Sequence, residues 1–408
     1  MTMVTVSASE IAKQVRGVTY SKGDAIGTPS PGYVMLLRAN NITAGGLTTD
    51  GAIYVPESKV SPKQRLLPGD IVVATSSGSL DVVGKASPVT TPIDATFGAF
   101  CKVVRPNKKV APEYLAQFFK SAPYRQTVMQ LAAGANINNL RNEHIDDLQI
   151  PIPHKNGKPD LEEQKRIAAI LDKADGIRRK RQQALRLTDD FLRSVFLDMF
   201  GDPVTNPMGW DLLPISSGIE SFDGGKNVAP LNTPRSDGMR VLKVSAVTSG
   251  EFLEHESKSF SEDFQVPTDY IVKQGDLLIS RANTKELVGA VAYVWKTSAM
   301  TMLPDKLWRF VWSEPKRIHP LFMLHMARSS HFRNELMLRA TGSSGSMKNI
   351  GKVKMLDIPI PLPPYPLQER FAKIAIRLRS QSCTSTSTLR EAEDLFSSLQ
   401  QRAFRGEL

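Results

Sequence analysis

The chain has 408 residues, 41% of them apolar and 23% charged, which is the composition of a folded soluble protein with room for two or three domains. No apolar run approaches the roughly 20 residues needed to span a bilayer, and the start Met1-Thr2-Met3-Val4-Thr5-Val6 lacks the basic flank and apolar stretch of a secretion signal. The net charge is +11 and is spread along the chain, which fits both a polyanion lying across several domains and simple solubility.

The first stretch, residues 1–155, is rich in short β-type runs and turns. Leu67-Pro68-Gly69-Asp70 launches the apolar run Ile71-Val72-Val73-Ala74, which predicts a buried strand behind a Gly-Asp turn. A helical stretch is expected from Pro112 to Gln130, then a loop with Gly134-Ala135-Asn136. Ile150-Pro151-Ile152-Pro153 is expected to end the globular part, because proline stops pairing and blocks helix entry. Residues 156–200 carry a long helix from about Leu161 to Met199. Ile167, Ile170, Ala174, Ile177, Ala184, Phe191 and Val195 fall on alternating steps of 3 and 4, with Arg181 and Thr188 as polar members and Leu171, Leu185, Leu192 and Met199 on a flanking row. This is a coiled-coil-like seam that requires a partner helix. The basic run Arg178 to Arg181 reads as a solvated face, and Asp160 and Glu163 read as capping groups at the helix start.

The layout then repeats at an offset of about 206 residues. In residues 201–362, Lys273-Gln274-Gly275-Asp276-Leu277-Leu278 answers the first Gly-Asp turn, and Val288-Gly289 answers Val83-Gly84. His319 to Leu338 answers the first helical stretch, Gly342-Ser343-Ser344-Gly345 the loop, and Ile358-Pro359-Ile360-Pro361 the proline segment. In residues 363–408 a second long helix is expected from about Leu367 to Ala403, with Gln368, Phe371, Ala372 and Ile374 answering Gln164, Ile167, Ala168 and Ile170. Its seam opens with Phe371, Ile374 and Leu378 and closes with Leu389, Ala392, Phe396, Leu399 and Ala403. The serine- and threonine-rich middle, Ser380 to Thr388, is poor in helix formers, although the helix is expected to continue through it. The fold class is thus α+β: two β-rich heads and two long helices, expected to pack antiparallel about a pseudo-twofold axis.

No catalytic motif emerges. A phosphate-binding Gly-x-x-x-x-Gly-Lys-Ser/Thr loop and a Gly-x-Gly-x-x-Gly turn are both missing. Asn206-Pro207-Met208-Gly209 and Leu362-Pro363-Pro364-Tyr365 each lack part of the Asn/Asp-Pro-Pro-aromatic run of adenine methyltransferases. The six histidines show no metal-ligand spacing, and Cys101 and Cys383 are too few and too distant for a zinc site or a disulfide framework.

The arrangement resembles the specificity subunit of Type I restriction-modification systems. The resemblance is carried by the two heads ending in Ile-Pro-Ile-Pro and by the helix opening Leu161-Glu162-Glu163-Gln164-Lys165-Arg166-Ile167-Ala168-Ala169-Ile170-Leu171. Phe200-Gly201-Asp202-Pro203 with Asn206-Pro207-Met208-Gly209-Trp210, and the ending Arg402 to Leu408, are similar as well. It implies two target recognition domains reading a bipartite, asymmetric site on double-stranded DNA. It also implies two modification (methyltransferase) subunits that bring S-adenosylmethionine, restriction (translocase/endonuclease) subunits, no cofactor on this chain, no membrane, and a bacterial or archaeal cytoplasm. A stand-alone DNA-modifying enzyme with a divergent active site, a protein- or sugar-binding scaffold, and a specificity subunit of another methylation-based defence system remain the alternatives.

Base reading needs polar side chains on loops, and phosphate contact needs mainly Lys and Arg. In the first head the candidates are Thr75, Ser76, Ser77 and Ser79 after the Gly-Asp strand, with Arg38, Asn40, Asn41 and Lys85. In the second they are Ser280, Arg281, Asn283, Thr284 and Lys285, with Lys226, Lys243 and Lys348.

Overall fold

The structure is a computed structural model that describes residues 2–43, 45–132, 139–231, 233, 235–342 and 347–408, with the backbone alone at 132 and 382–387. The chain divides into two compact units, Met1–Ala184 with Ser385–Leu408, and Leu185–Thr384. The division passes through both long helices, so each unit contains a head together with the half-helices against which it packs.

In unit 1 the strands Ala12–Arg16, Cys101–Pro106, Ile71–Ala74 and Ala86–Pro88 form one antiparallel sheet in that order. Ile53–Pro56, Tyr33–Leu37 and Ala95–Phe97 form a second, whose last pair is parallel. The run Ile71-Val72-Val73-Ala74 is wholly buried because it is covered on both faces. Ile71 and Val73 join the core beneath the helices Pro112–Phe119 and Ala122–Ala132, while Val72 and Ala74 join the core of the second sheet. That is the two-residue period of a strand read on both sides. Gly69 turns the chain in at φ +92°, and Asp70 locks the turn by accepting from Leu67 N at 2.9 Å. Arg105, on the neighbouring strand Cys101–Pro106, reaches the same carboxylate with two bonds of 2.7 Å.

Unit 2 repeats this plan. Ile219–Gly224, Leu307–Trp312, Leu277–Ser280 and Val291–Tyr293 form the antiparallel sheet, and Pro230–Leu231, Ser257–Phe260, Arg240–Leu242 and Thr301–Met302 the second, again with a parallel last pair. Leu277 and Ile279 face the helical core and Leu278 the other. Asp276 accepts from Lys273 N at 2.8 Å and from Arg309 at 3.4 Å. Gly84 (φ +76°) and Gly289 (φ +78°) are equivalent too: a Cβ at either would overlap the facing helix, at Val128 and Leu336 respectively. The expected single helical stretch is two helices in each unit, broken by Lys120-Ser121 in one and by Ser329 in the other.

The proline segments do not end pairing as expected. Gln149–Lys155 pairs with Thr2–Ser7, and Pro359–Pro361 with Leu212–Pro214. Ala8 N donates to Leu148 O, and Leu362 N to Asp211 O, so the even-numbered residues face the neighbouring strand. The prolines fall at the alternate positions, where the missing N–H faces away and costs no ladder bond. Their carbonyls are used on that outer side, Pro151 O by the Tyr114 hydroxyl at 2.7 Å and Pro153 O by Asp160 N at 2.8 Å.

The long helices are Leu161–Phe200 and Tyr365–Arg405, the second unbroken through its serine- and threonine-rich middle. In unit 1 Ile167, Leu171 and Ala174 share a core with Phe396 and Ala403, and Leu399 packs against it. In unit 2 Phe196 and Phe200 share a core with Phe371, Ala372 and Ala375. The start of each helix therefore meets the end of the other, which is antiparallel packing. Ile374 and Leu378 are half-buried, as are Ile170 and Leu185.

The inward row of the first helix keeps the expected positions 167, 174, 181, 188 and 195 and takes its alternate members from the flanking row in place of 170, 177, 184 and 191. It runs 164, 167, 171, 174, 178, 181, 185, 188, 192, 195 and 199, in regular steps of 3 and 4. Leu192, Val195 and Met199 pack against the unit 2 core. Ile177 and Phe191, expected in the seam, are 43% and 54% exposed. The flanking row was masked at Arg178, which is not part of a solvated face, while Arg181 lies in the seam as the polar member expected there. Arg178 lies 5.5 Å from the Phe396 ring with its charge against Asp175 at 2.7 Å, and Arg181 donates to Thr388 O. Such cations can hold a seam position because their apolar stems pack while the charge finds a partner. The capping expectation holds: Asp160 accepts from Glu163 N at 3.1 Å.

Candidate nucleic-acid interface

In unit 1 the strand Ile71–Ala74 runs out into residues 75–79. Phe100, in the turn before Cys101–Pro106, fixes this exit through its carbonyl, which accepts from Thr75 N at 2.8 Å, Thr75 Oγ1 at 3.1 Å and Ser76 N at 3.2 Å. Ser76 also bridges to Asn139. Ser77 Oγ accepts from Ser79 N at 3.2 Å, which shapes the turn and leaves Ser79 exposed. Thr75 is itself buried, so its hydroxyl is a structural group and not a base reader. Asn41 is a second correction. It is fully buried, accepts from Arg38 N at 2.8 Å, and donates to Thr48 O and Asp50 O at 3.0 Å each. Its amide closes a loop and has nothing left for a ligand. Arg38 is half-buried and donates to Gly51 O at 2.8 Å, whereas Asn40 is exposed. Lys85 is exposed and lines a cleft of about 970 Å³ with Thr43, Glu113 and Arg178, apart from the 75–79 turn.

In unit 2 the equivalent exit is paired over two residues in place of one. Ala282–Asn283 forms a ladder with Lys348–Asn349, which brings Arg281, Asn283 and Lys348 together. Ser280 is fully buried and donates to Ala282 O at 3.4 Å, so it too is structural. Arg281 is held by Asp305 O at 2.7 Å and Asn349 Oδ1 at 3.0 Å, with its guanidinium 5.6 Å from the Trp308 ring. Asn283 Oδ1 accepts from Thr284 N at 2.8 Å, and Lys348 Nζ donates to Gly342 O at 2.6 Å. Thr284 and Lys285 project from this base and are exposed. Lys226 lies 5.7 Å from the Phe264 ring and Lys243 lies 3.7 Å from Glu256. The loops with Gly134-Ala135-Asn136 and Ser343-Ser344-Gly345 lie outside the described residues.

Three residues that the sequence did not single out belong to these exits. Phe100 is 70% exposed although its backbone anchors the turn. An aromatic side chain at a turn, one residue before a buried strand, was the signal for it. Lys306 holds the matching place in unit 2, where its carbonyl accepts from Arg281 N at 3.0 Å. Lys352, in the short helix Lys352–Leu356, is exposed and lies 5.8 Å from the same Trp308 ring as Arg281. Only the pairing of 282–283 with 348–349 brings it there.

Among the described residues no cluster of His, Cys, Asp and Glu could hold a metal ion, and no helix is long and apolar enough to cross a membrane. Cys101 is buried, and burial pushes its thiol up to about 12, so it is inert packing. The Cys383 side chain lies outside the described residues.

Residues 2–187 match the Type I restriction modification DNA specificity domain. The EcoKI specificity subunit of Type I restriction enzyme from Escherichia coli K12 is 30% identical, over 99% of this chain and 89% of that protein. The StySPI specificity subunit from Salmonella potsdam is 28% identical over the same shares. The crystal structure of the Type I restriction-modification system S subunit from M. genitalium has the same fold, with a TM-score of 0.59 at 12% identity, over 99% of this chain and 96% of that one. The similarity runs through both heads and both long helices, and the chain belongs to the family of Type I restriction enzyme specificity subunits.

Proposed function

We propose that the chain reads a bipartite, asymmetric site on double-stranded DNA, one half-site with each head, and does no chemistry itself. One observation carries this reading: the two units present the same strand exit, built on the same turn and sheet, with unlike side chains at its tip. Ser76, Ser79 and Phe100 stand in one place, and Asn283, Thr284, Lys285 and Lys352 in the other. Reading two different sequences with one scaffold calls for such a difference. Lys285 and Lys352 suit phosphates, and an exposed Phe100 suits a thymine methyl or an unstacked base step. Two modification subunits bring S-adenosylmethionine and methylate adenine, one in each half, and restriction subunits join them in a bacterial or archaeal cytoplasm. The domains in this reading are 1–155 and 201–362 as readers and 156–200 and 363–408 as spacers.

Methylome sequencing of cells carrying the intact system tests this directly. It should return one motif with two specified halves and an unspecified gap of fixed length. A contiguous motif would overturn the reading, and S-adenosylmethionine bound by the purified chain alone would favour a stand-alone enzyme. At residue level, Phe100→Ala should weaken binding of the complex to its site about tenfold, roughly 1.4 kcal/mol, with an unchanged melting temperature. Lys285→Ala should weaken binding to all sequences alike and lower the salt dependence by about one phosphate contact. Asn41→Ala should behave oppositely, lowering stability by about 1–3 kcal/mol because the buried amide that ties Arg38 N, Thr48 O and Asp50 O together is lost. Fluorescence-anisotropy titration over a salt series, with parallel melting curves, separates the three.

A further inference from the structure

Each head meets its long helix through an apolar surface, and one polar device is common to both. Gln164, in the first turn of Leu161–Phe200, is fully buried. Its Oε1 accepts from Ala111 N at 2.8 Å and its Nε2 donates to Lys109 O at 3.4 Å. Ala111 is the residue that caps the head helix Pro112–Phe119. Gln368, in the first turn of Tyr365–Arg405, is fully buried in the same way. Its Oε1 accepts from His319 N at 2.8 Å, and its Nε2 donates to Arg317 O at 3.0 Å and Pro363 O at 2.8 Å. His319 caps the head helix Pro320–Arg328. In both units one amide thus joins the start of a long helix to the start of a head helix, taking a donor and an acceptor two residues apart.

Around each glutamine the head–helix contact is apolar, Leu115 and Phe118 with Ile167 and Leu171 in one unit, Phe322 with Phe371 in the other. Apolar contact is non-directional and tolerates sliding. A two-ended amide does not, because hydrogen bonds weaken steeply away from linear geometry. In unit 1 a further tie runs from Gln117 Nε2 to Asp172 at 2.5 Å, whereas at the matching place unit 2 has His325 against the Phe196 and Phe371 rings. A head–helix ion pair also stands farther along each long helix, Asp175 with Lys120 at 3.9 Å and Arg379 with Glu251 at 2.7 Å, but its groups differ between the units, so the glutamine is the directional element with the same partners in both.

We infer that Gln164 and Gln368 are positioning residues that fix the angle of each reading head on its helix and thereby the gap length the chain accepts between half-sites. The inference rests on the reading of the chain as a bipartite DNA reader. A tilt of about 3° at the first turn of a 40-residue helix about 60 Å long moves its far end by about 3 Å, close to one base-pair step. Angular looseness at the glutamine would thus appear as gap tolerance and not as altered base preference.

The test uses the full complex with its modification subunits and a plasmid library in which the two half-sites are separated by gaps of varied length. Gln164→Met and Gln368→Met keep the side-chain volume and remove both hydrogen-bonding ends. Each should raise methylation at gaps one base pair longer or shorter at least fivefold relative to the preferred gap, with the half-site bases unchanged. Val128→Ala and Leu336→Ala, in the head cores, serve as controls that lower methylation equally at all gaps. If a methionine variant does not fold, Gln164→Asn or Gln368→Asn takes its place, since the side chain shortened by one methylene cannot reach both partners. Glutamine variants whose gap profile stays as sharp as that of the controls would overturn the inference. A wild-type complex without any preferred gap would instead overturn the bipartite reading beneath it.

Discussion

Removing one heptad from each long helix, residues 179–185 and 385–391, should shorten the gap in the recognised DNA by about three base pairs and leave both half-sites unchanged. Seven residues at ~1.5 Å each take out roughly 10 Å of helix, and a base-pair step is about 3.4 Å. The choice of seven follows from the observed row, which repeats every seven residues from Gln164 to Met199. Cutting four residues from the first helix alone is the simpler shortening, but four residues advance an α-helix by about 400° and leave the downstream row turned by about 40°. Seven advance it by about 700°, only some 20° from register. Both helices must be cut because they pack antiparallel, Arg181 lying against Thr388 and Phe196 against Phe371. Methylome sequencing reads the gap and both halves at once. A changed half-site with an unchanged gap would show that the helices do not measure the spacing.

What the sequence showed of this fold was what periodicity can carry. The Gly-Asp turns, the apolar strands behind them and the paired long helices stand where the repeat placed them, because those signals depend on backbone demands and on burial of whole faces. What escaped was the side on which a group points. Pro151 and Pro359 looked like stops, yet their missing N–H groups face away from the paired strand. Arg178 looked like part of a wetted face, yet holds a seam position through Phe396 and Asp175. At the reading loops the ambiguity was chemical. An asparagine or serine that satisfies the backbone is the same residue type as one that reads a base, so Asn41, Thr75 and Ser280 stood beside Asn40, Ser79 and Thr284 until their partners were visible. Phe100 escaped for the opposite reason, since an apolar residue is read as core by default.

Acidification from pH 8 to pH 5 should destabilise unit 2 by about 2 kcal/mol through His325. Its imidazole lies between helices, stacked 5.8 Å from the Phe196 ring and set edge-on 5.0 Å from the Phe371 ring. Burial among those rings, reinforced by the positive charge of Arg328, pushes its pKa down to about 3. An unfolded histidine titrates near 6.5. Between those values the unfolded chain takes up a proton that the folded unit refuses, so the stability present above pH 6.5 is lost as the pH falls. The loss is ~1.4 kcal/mol per pH unit well below 6.5, which gives about 2 kcal/mol at pH 5. His319, whose pKa burial also lowers, adds to the loss in the same direction, so the decisive comparison is with His325→Leu, which should remove most of the slope. All four tryptophans, Trp210, Trp295, Trp308 and Trp312, belong to unit 2, so tryptophan fluorescence during urea unfolding follows that unit even while unit 1 is present. A midpoint that falls equally with acid in wild type and His325→Leu would assign the sensitivity to other groups. A midpoint that is flat in the variant would place the acid-labile joint of the protein where a head helix and both long helices meet around one neutral ring.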